Sequence, residues 1–270
     1  MAADARGAPK VFITGASSGL GEALAVDYAA QGATLGLAGR RLDVLVALRE
    51  RLVAAGADAA LVDLHAVDVT DAPAMAEAAR GFIERHGAPD VVVACAGIAA
   101  TVDLARDDSL QAMRALMDTN VHGTLATFQP FLAAMTARGH GKLVGVASVA
   151  GVRGMPGAAG YGASKAAVIA FCEALRIELS GSGIEVLTLC PGYVRTPMSA
   201  GVPYRQPFLM EADAFARRAV RVIAAGTSYA VLPWQMAWVA RLLKLLPNGV
   251  YDAMMKSARR PRPRTRGATR

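Results

Sequence analysis

Apolar residues fall in short unbroken runs along this chain, and each run is followed by a longer stretch in which they recur every three or four positions. Seven runs read as strands: residues 10–14, 34–38, 60–66, 90–95, 142–148, 184–190 and 228–232. Runs without polar alternation mark strands buried on both faces. Between them, Leu42, Leu45, Leu48, Arg49 and Leu52 keep helical spacing, as do Met113, Leu116, Met117 and Asn120. Gly32 and Gly56 stand where helix ends want a left-handed residue. The alternation predicts an α/β fold: a doubly wound, Rossmann-type parallel sheet of about seven strands with helices on both faces. Ligands in such sheets bind at the carboxyl ends of the strands, where strand order reverses.

The expected organisation is a flexible N-terminus over 1–9, the Rossmann-type domain over 10–232, an amphipathic helical extension over 233–257, and a disordered basic tail over 258–270. Residues 192–210, with Pro197, Pro203 and Pro207, form the longest irregular stretch and read as a functional lid or a disordered excursion.

Composition narrows the class. With 54% hydrophobic and 19% charged residues, a 270-residue chain is globular and able to bury a large core. The net charge of +7 is carried by Lys256, Arg259, Arg260, Arg262, Arg264, Arg266 and Arg270, so residues 1–255 are neutral overall. A Pro/Arg tail without aromatic interleaving gives only salt-sensitive, non-specific nucleic-acid affinity, so no specific nucleic-acid partner is expected. Cys95, Cys172 and Cys190 lie in apolar surroundings and read as buried free thiols of a reducing compartment. No signal peptide, membrane span or metal site is expected. Localisation is expected to be cytoplasmic, or peripheral on the cytoplasmic face of the membrane.

Candidate chemistry begins after the first run. Gly15, Ser17, Ser18, Gly19, Leu20 and Gly21 follow a strand and open a helix. Glycines permit the tight turn, and a helix N-terminus offers free N–H groups to a pyrophosphate. The second run ends at Arg40 and Arg41, where an NAD site would place an acid for the ribose hydroxyls. Two guanidinium groups suit a 2′-phosphate instead, so NADP(H) is favoured over NAD(H).

Tyr161 and Lys165 are four residues apart, one turn on the same helical face. A free tyrosine titrates near ~10, and a neighbouring ammonium favours its phenolate. The pair can therefore give a proton to a carbonyl or take one from an alcohol. Ser148 ends a strand, where its hydroxyl can donate to a developing oxyanion.

These motifs, with Pro191 and Gly192, resemble the single-domain branch of the short-chain dehydrogenases/reductases over residues 10–196. The resemblance implies hydride transfer from the nicotinamide with Asn120, Ser148, Tyr161 and Lys165 as catalytic positions. Asn120 would bend a helix and hold a water linked to Lys165, and Lys165 would also hold the ribose. Asp68 and Val69 would contact adenine, Ala96 and Gly97 would line the cofactor site, and Thr196 would meet the carboxamide. The backbone after Pro191, through Gly192 and Val194, would lie under the ring. It also implies a homodimer or homotetramer. The chain departs from the family pattern in two places. It has Ala94-Cys95-Ala96-Gly97 where an asparagine pair is common, and Ser18 where many NADP-using members carry a basic residue. The first puts sheet rigidity near the cofactor in question. The second leaves the phosphate to Arg40 and Arg41, helped by Ser17.

Trp234, Trp238, Leu242 and Leu245 line one helical face beside Arg241 and Lys244. Two readings stay open: docking of residues 233–260 on an anionic membrane surface, or packing on the domain or another subunit. The lid residues Tyr193, Met198, Pro203, Tyr204, Phe208, Leu209 and Met210 suggest a lipophilic carbonyl or alcohol substrate. The expected function is that of an NADP(H)-linked carbonyl reductase or alcohol dehydrogenase. The alternative is a non-catalytic dinucleotide-binding regulator or membrane-tethered scaffold. An epimerase or dehydratase of nucleotide sugars would require a larger substrate domain.

Overall fold

A computed structural model describes residues 7–200 and 205–257. The flexibility expected for most of 1–9, the disorder expected for 258–270, and the lid residues Pro203 and Tyr204 lie outside the described residues.

The first half of the sheet comes from β1 (Lys10–Thr14), β2 (Thr34–Gly39) and β3 (Val62–Ala66), with α1 (Gly19–Ala29) and α2 (Leu42–Ala54) between them. Then α3 (Ala72–His86) leads to β4 (Val91–Ala94), and α4 (Ser109–Met117) and α5 (Gly123–Arg138) lead to β5 (Gly141–Val146). The last crossover, α6 (Ala159–Glu178), returns to β6 (Ile184–Pro191). Two-residue strands β7 (Val194–Arg195) and β8 (Met210–Glu211) precede α7 (Ala212–Ala224) and β9 (Tyr229–Leu232). Helices α8 (Trp234–Leu245) and α9 (Asn248–Ser257) follow.

The seven main strands form one parallel sheet in the order β3-β2-β1-β4-β5-β6-β9. Order reverses between β1 and β4, which places the ligand crevice above their carboxyl ends. Although the strands read as unbroken apolar runs, their side chains still alternate between two cores. Val11, Ile13, Val93 and Val144 face α1, α2 and α7, whereas Phe12, Val92 and Leu143 face α3, α5 and α6. On the second face Phe12, Phe82 and Phe131 meet at centroid distances of 4.7 to 6.4 Å. Each such ring pair adds about 0.5–1.5 kcal/mol beyond the area it buries.

Several strand boundaries shift by a residue or two, and the larger departures have local reasons. Residues 60–61 belong to a 3₁₀ turn (Ala59–Leu61) rather than to β3, because the Asp58 carboxylate accepts the Ala60 N–H at 2.9 Å. β5 stops at Val146, although the Ala147 N–H still reaches the Leu189 carbonyl at 2.8 Å; Ser148 then caps a second 3₁₀ turn, Val149–Gly151. Cys95 leaves β4 in a tight turn, with its N–H on the Val93 carbonyl. Within 192–210 the chain is not wholly irregular. β7 and β8 pair in parallel, Val194 opposite Met210, and Pro197–Ser199 forms a turn. Met210 is consequently buried in the core, while Phe208 is exposed.

Candidate active site

The turn after β1 approaches its own helix closely. Gly15 and Gly19 hold φ of 69° and 60°, and a Cβ on Gly21 would stand 2.3 Å from the Gly15 carbonyl oxygen. Only glycine fits there. Ser18 occupies the N-cap position without making a side-chain cap, so it does not itself consume the first-turn N–H groups of α1. The Ala16 N–H ties the turn to the Ala38 carbonyl at the end of β2.

This turn forms one wall of a cleft of about 240 Å³. Of the residues expected to bind a cofactor, Gly15, Ser17, Ser18, Gly19, Leu20, Gly21, Arg40, Arg41, Asp68, Val69, Ala96, Gly97 and Thr196 line it. Arg41 donates to the Ser17 carbonyl at 3.2 Å and to its hydroxyl at 3.3 Å. Arg40 lies 3.7 Å from the Asp68 carboxylate, and both side chains are open to solvent. Thr196 also supports the local backbone, capping the Pro197–Ser199 turn in a reciprocal capping box.

A second cavity, about 470 Å³, adjoins the first, and Leu20, Cys95, Gly97, Thr196 and Met198 line both. Ser148, Tyr161, Lys165, Pro191, Gly192 and Val194 line this larger space. Lys165 is buried, donates to the Val146 carbonyl at 2.8 Å, and stands 5.9 Å from the centre of the Tyr161 ring. Burial lowers its ammonium to about 8, because the charged form loses hydration. The Ser148 hydroxyl oxygen accepts the Ala150 N–H at 3.1 Å, which leaves its proton for another acceptor. Met198 lines both cavities and Tyr193 the larger one; among the described residues of that larger cavity, Lys165 is the sole Lys, Arg, Asp or Glu.

Asn120 lies behind this wall, fully buried, in a π-helical stretch (Asp118–His122) that joins α4 to α5. Its carboxamide accepts the Ile98 N–H at 2.8 Å and donates to the Ile98 carbonyl at 3.0 Å and to the Ser164 hydroxyl at 2.9 Å. Its own carbonyl accepts the Thr124 hydroxyl. The side chain therefore braces the loop after β4 against α6. Widened helical turns of this kind collect at functional sites.

Thr14 ties the end of β1 to the turn after β4. Fully buried, its hydroxyl lies 3.3 Å from the Cys95 N–H, 3.5 Å from the Ala96 N–H and 3.3 Å from the Val93 carbonyl. Thr127 reaches it from α5 at 3.4 Å. The sequence marks Thr14 as the end of the first strand and the start of the glycine motif, but gives its hydroxyl no role. Ser164 was missed too. It links Asn120 to the Tyr161 carbonyl, and its place three residues after Tyr161 could have shown that it faces inward.

A model of the family described as short chain dehydrogenase matches residues 9–206. The chain belongs to the short-chain dehydrogenases/reductases. Among its relatives, an uncharacterized oxidoreductase of Myxococcus xanthus is 42% identical, over 92% of this chain and 96% of its own. An alcohol dehydrogenase from Thermococcus sibiricus, solved with 5-hydroxy-NADP, is 29% identical with a TM-score of 0.73, covering 83% of this chain and 95% of its own. A short chain dehydrogenase from Mycobacterium paratuberculosis, solved with NAD, is 26% identical with a TM-score of 0.74 and the same coverage. Structural neighbours thus hold both kinds of nicotinamide dinucleotide. Among its described residues, no helix is long and apolar enough to cross a membrane.

Proposed function

We propose that this dehydrogenase interconverts a carbonyl and an alcohol, uses NADP(H) in preference to NAD(H), and acts on a lipophilic substrate. The observation that carries the reading is that Ser148, Tyr161 and Lys165 line one cavity that adjoins the glycine-walled cleft. A nicotinamide dinucleotide, when bound, supplies or accepts the hydride. The glycine turn leaves room for the pyrophosphate, and the first-turn N–H groups of α1 favour its charge. Arg41, steadied by Ser17, and Arg40 beside Asp68 are positioned to hold a 2′-phosphate.

Tyr161 moves the proton, giving it to the carbonyl oxygen in reduction and taking it back in oxidation. Ser148 donates a hydrogen bond to the same oxygen as charge develops on it. Lys165 stabilises the phenolate while the Val146 carbonyl fixes its direction. General acid–base work of this kind is worth about 10² to 10⁴ in rate, and positioning supplies the rest. A cavity with a single Lys, Arg, Asp or Glu among its described lining residues favours an uncharged, apolar substrate. In the same reading the enzyme is a homodimer or homotetramer and works in the cytoplasm.

The test is oxidation of NADPH and of NADH against aliphatic, aromatic and steroidal carbonyls. Turnover with NADPH on an apolar carbonyl is expected. Binding of NADPH without oxidation against the whole panel would instead support the regulator.

A further inference from the structure

Helix α8 presents an apolar stripe that its own domain does not cover. Trp234, Trp238, Leu242 and Leu245 recur at i, i+4, i+8 and i+11, and are 62%, 64%, 62% and 81% exposed. Met236 and Ala240, on the opposite side, are buried. Arg241 lies over the Trp238 ring at 5.7 Å, Lys244 is exposed beside it, and α8 contains no Asp or Glu. From Ala253 onward the sequence adds Lys256 and six arginines, again without an acid.

We infer that α8 and α9 dock on an anionic lipid bilayer and hold the mouth of the larger cavity against it, so that an apolar substrate enters from the lipid. This rests on the carbonyl–alcohol reading only for the identity of what enters. Tryptophan and leucine on one face with cations beside them suit the boundary between headgroups and acyl chains. A second copy of the chain fits the surface less well, because a two-fold contact through α8 would enclose Arg241 and Lys244 of both chains with no acid on α8 to pair them. With twelve residues, α8 is about 18 Å long, against about 30 Å of hydrocarbon, so it lies along the surface.

The link to the cavity is structural. β9 pairs in parallel with β6, Pro191 opposite Leu232, so α8 departs from the carboxyl edge of the sheet, where the cavity lies. Arg153, in the loop after Ser148, donates to the carbonyls of Leu243, Lys244 and Leu246 and to Asn248. Its guanidinium also stacks 4.0 Å above the Tyr251 ring. The Tyr251 hydroxyl donates in turn to the Gly154 carbonyl at 2.5 Å, next to Met155 in the cavity wall. Seating the helix pair on a surface therefore also seats this wall.

Trp234 and Trp238 are the only tryptophans in the sequence, so native fluorescence reports on the stripe alone. The full chain is mixed with phosphatidylcholine vesicles, with or without phosphatidylglycerol, and read by flotation and tryptophan emission. Flotation with the anionic vesicles, a blue shift, and weakening by salt are expected. Leu242→Ser combined with Leu245→Ser should reduce partitioning on the order of tenfold or more, leaving turnover of a water-soluble carbonyl unchanged. No flotation, or flotation unaffected by that double substitution, overturns the inference. Loss of an oligomer on the double substitution, seen by light scattering without vesicle binding, overturns it in favour of self-association. Vesicle binding is scored without turnover, so a failure of the carbonyl–alcohol reading registers separately, as an inactive but lipid-bound protein.

Discussion

The Lys165 ammonium donates to the Val146 carbonyl oxygen at 2.8 Å, a bond that holds a buried cation in the cavity wall. Burial lowers its pKa from 10.5 to about 8. Carbonyl reduction needs the charged form, so kcat/KM for reduction should fall as pH rises through about 8. The stability consequence has the opposite sign. Holding a proton on the buried amine destabilises the fold below about 8, and that cost is relieved as pH rises towards 10.5, where the unfolded chain also gives up its proton. A pH–rate profile for reduction, with denaturation of wild type and Lys165→Met in parallel, checks both. A profile flat through this region would remove Lys165 from the proton path.

Tyr161→Phe should lower turnover by about 10² to 10⁴ while dinucleotide affinity stays close to wild type. Stopped-flow rates and fluorescence titration separate the two. Retained turnover would mean that another group moves the proton.

Replacing Arg40 and Arg41 together by Ala should weaken NADPH by about ten- to a hundredfold and NADH far less, since a hydrogen bond to a charged group is worth about 1.5–3 kcal/mol. Calorimetric titration with both dinucleotides measures the ratio. Equal losses would deny any contact with the 2′-phosphate.

Thr14→Val keeps the shape of the side chain but removes the hydroxyl shared by the N–H groups of Cys95 and Ala96. Destabilisation of about 1–3 kcal/mol is expected, with weaker dinucleotide binding, and Thr14→Ser should restore both. Urea unfolding of the three proteins decides the matter.

Arg153→Ala should loosen α8 and α9 without unfolding the sheet, because the lost bonds are to the end of α8 and to Asn248. Faster amide exchange confined to 234–257 and to the loop around Gly154 is the expected signature. Exchange spread over the whole domain would show that the bonds support the core instead.

Much of this architecture was legible in the chain because burying a strand on both faces leaves few choices of residue. The apolar runs therefore located all seven main strands, and the glycine turn announced itself by spacing. Turn chemistry was harder to read: Asp58 and Ser148 each convert a run's end into a 3₁₀ turn through one side-chain bond. The π-helical stretch could not be read from local pattern. It accompanies bonds between Asn120 and Ile98, twenty-two residues away, and between Asn120 and Ser164, forty-four away. Periodicity exposed the Trp/Leu stripe, yet only packing shows that Met236 and Ala240 face inward. Arg153 was illegible for the same reason, since its partners lie ninety or more residues downstream.

Gly192 stands in the cavity wall, and the space where its side chain would be is taken by Met236 from α8, whose Cγ would lie 2.9 Å from such a Cβ. Pocket width is thus set partly from outside, by a residue that does not line the pocket. A search for altered substrate choice confined to lining residues would overlook position 236, where a smaller or larger side chain changes the room behind the glycine.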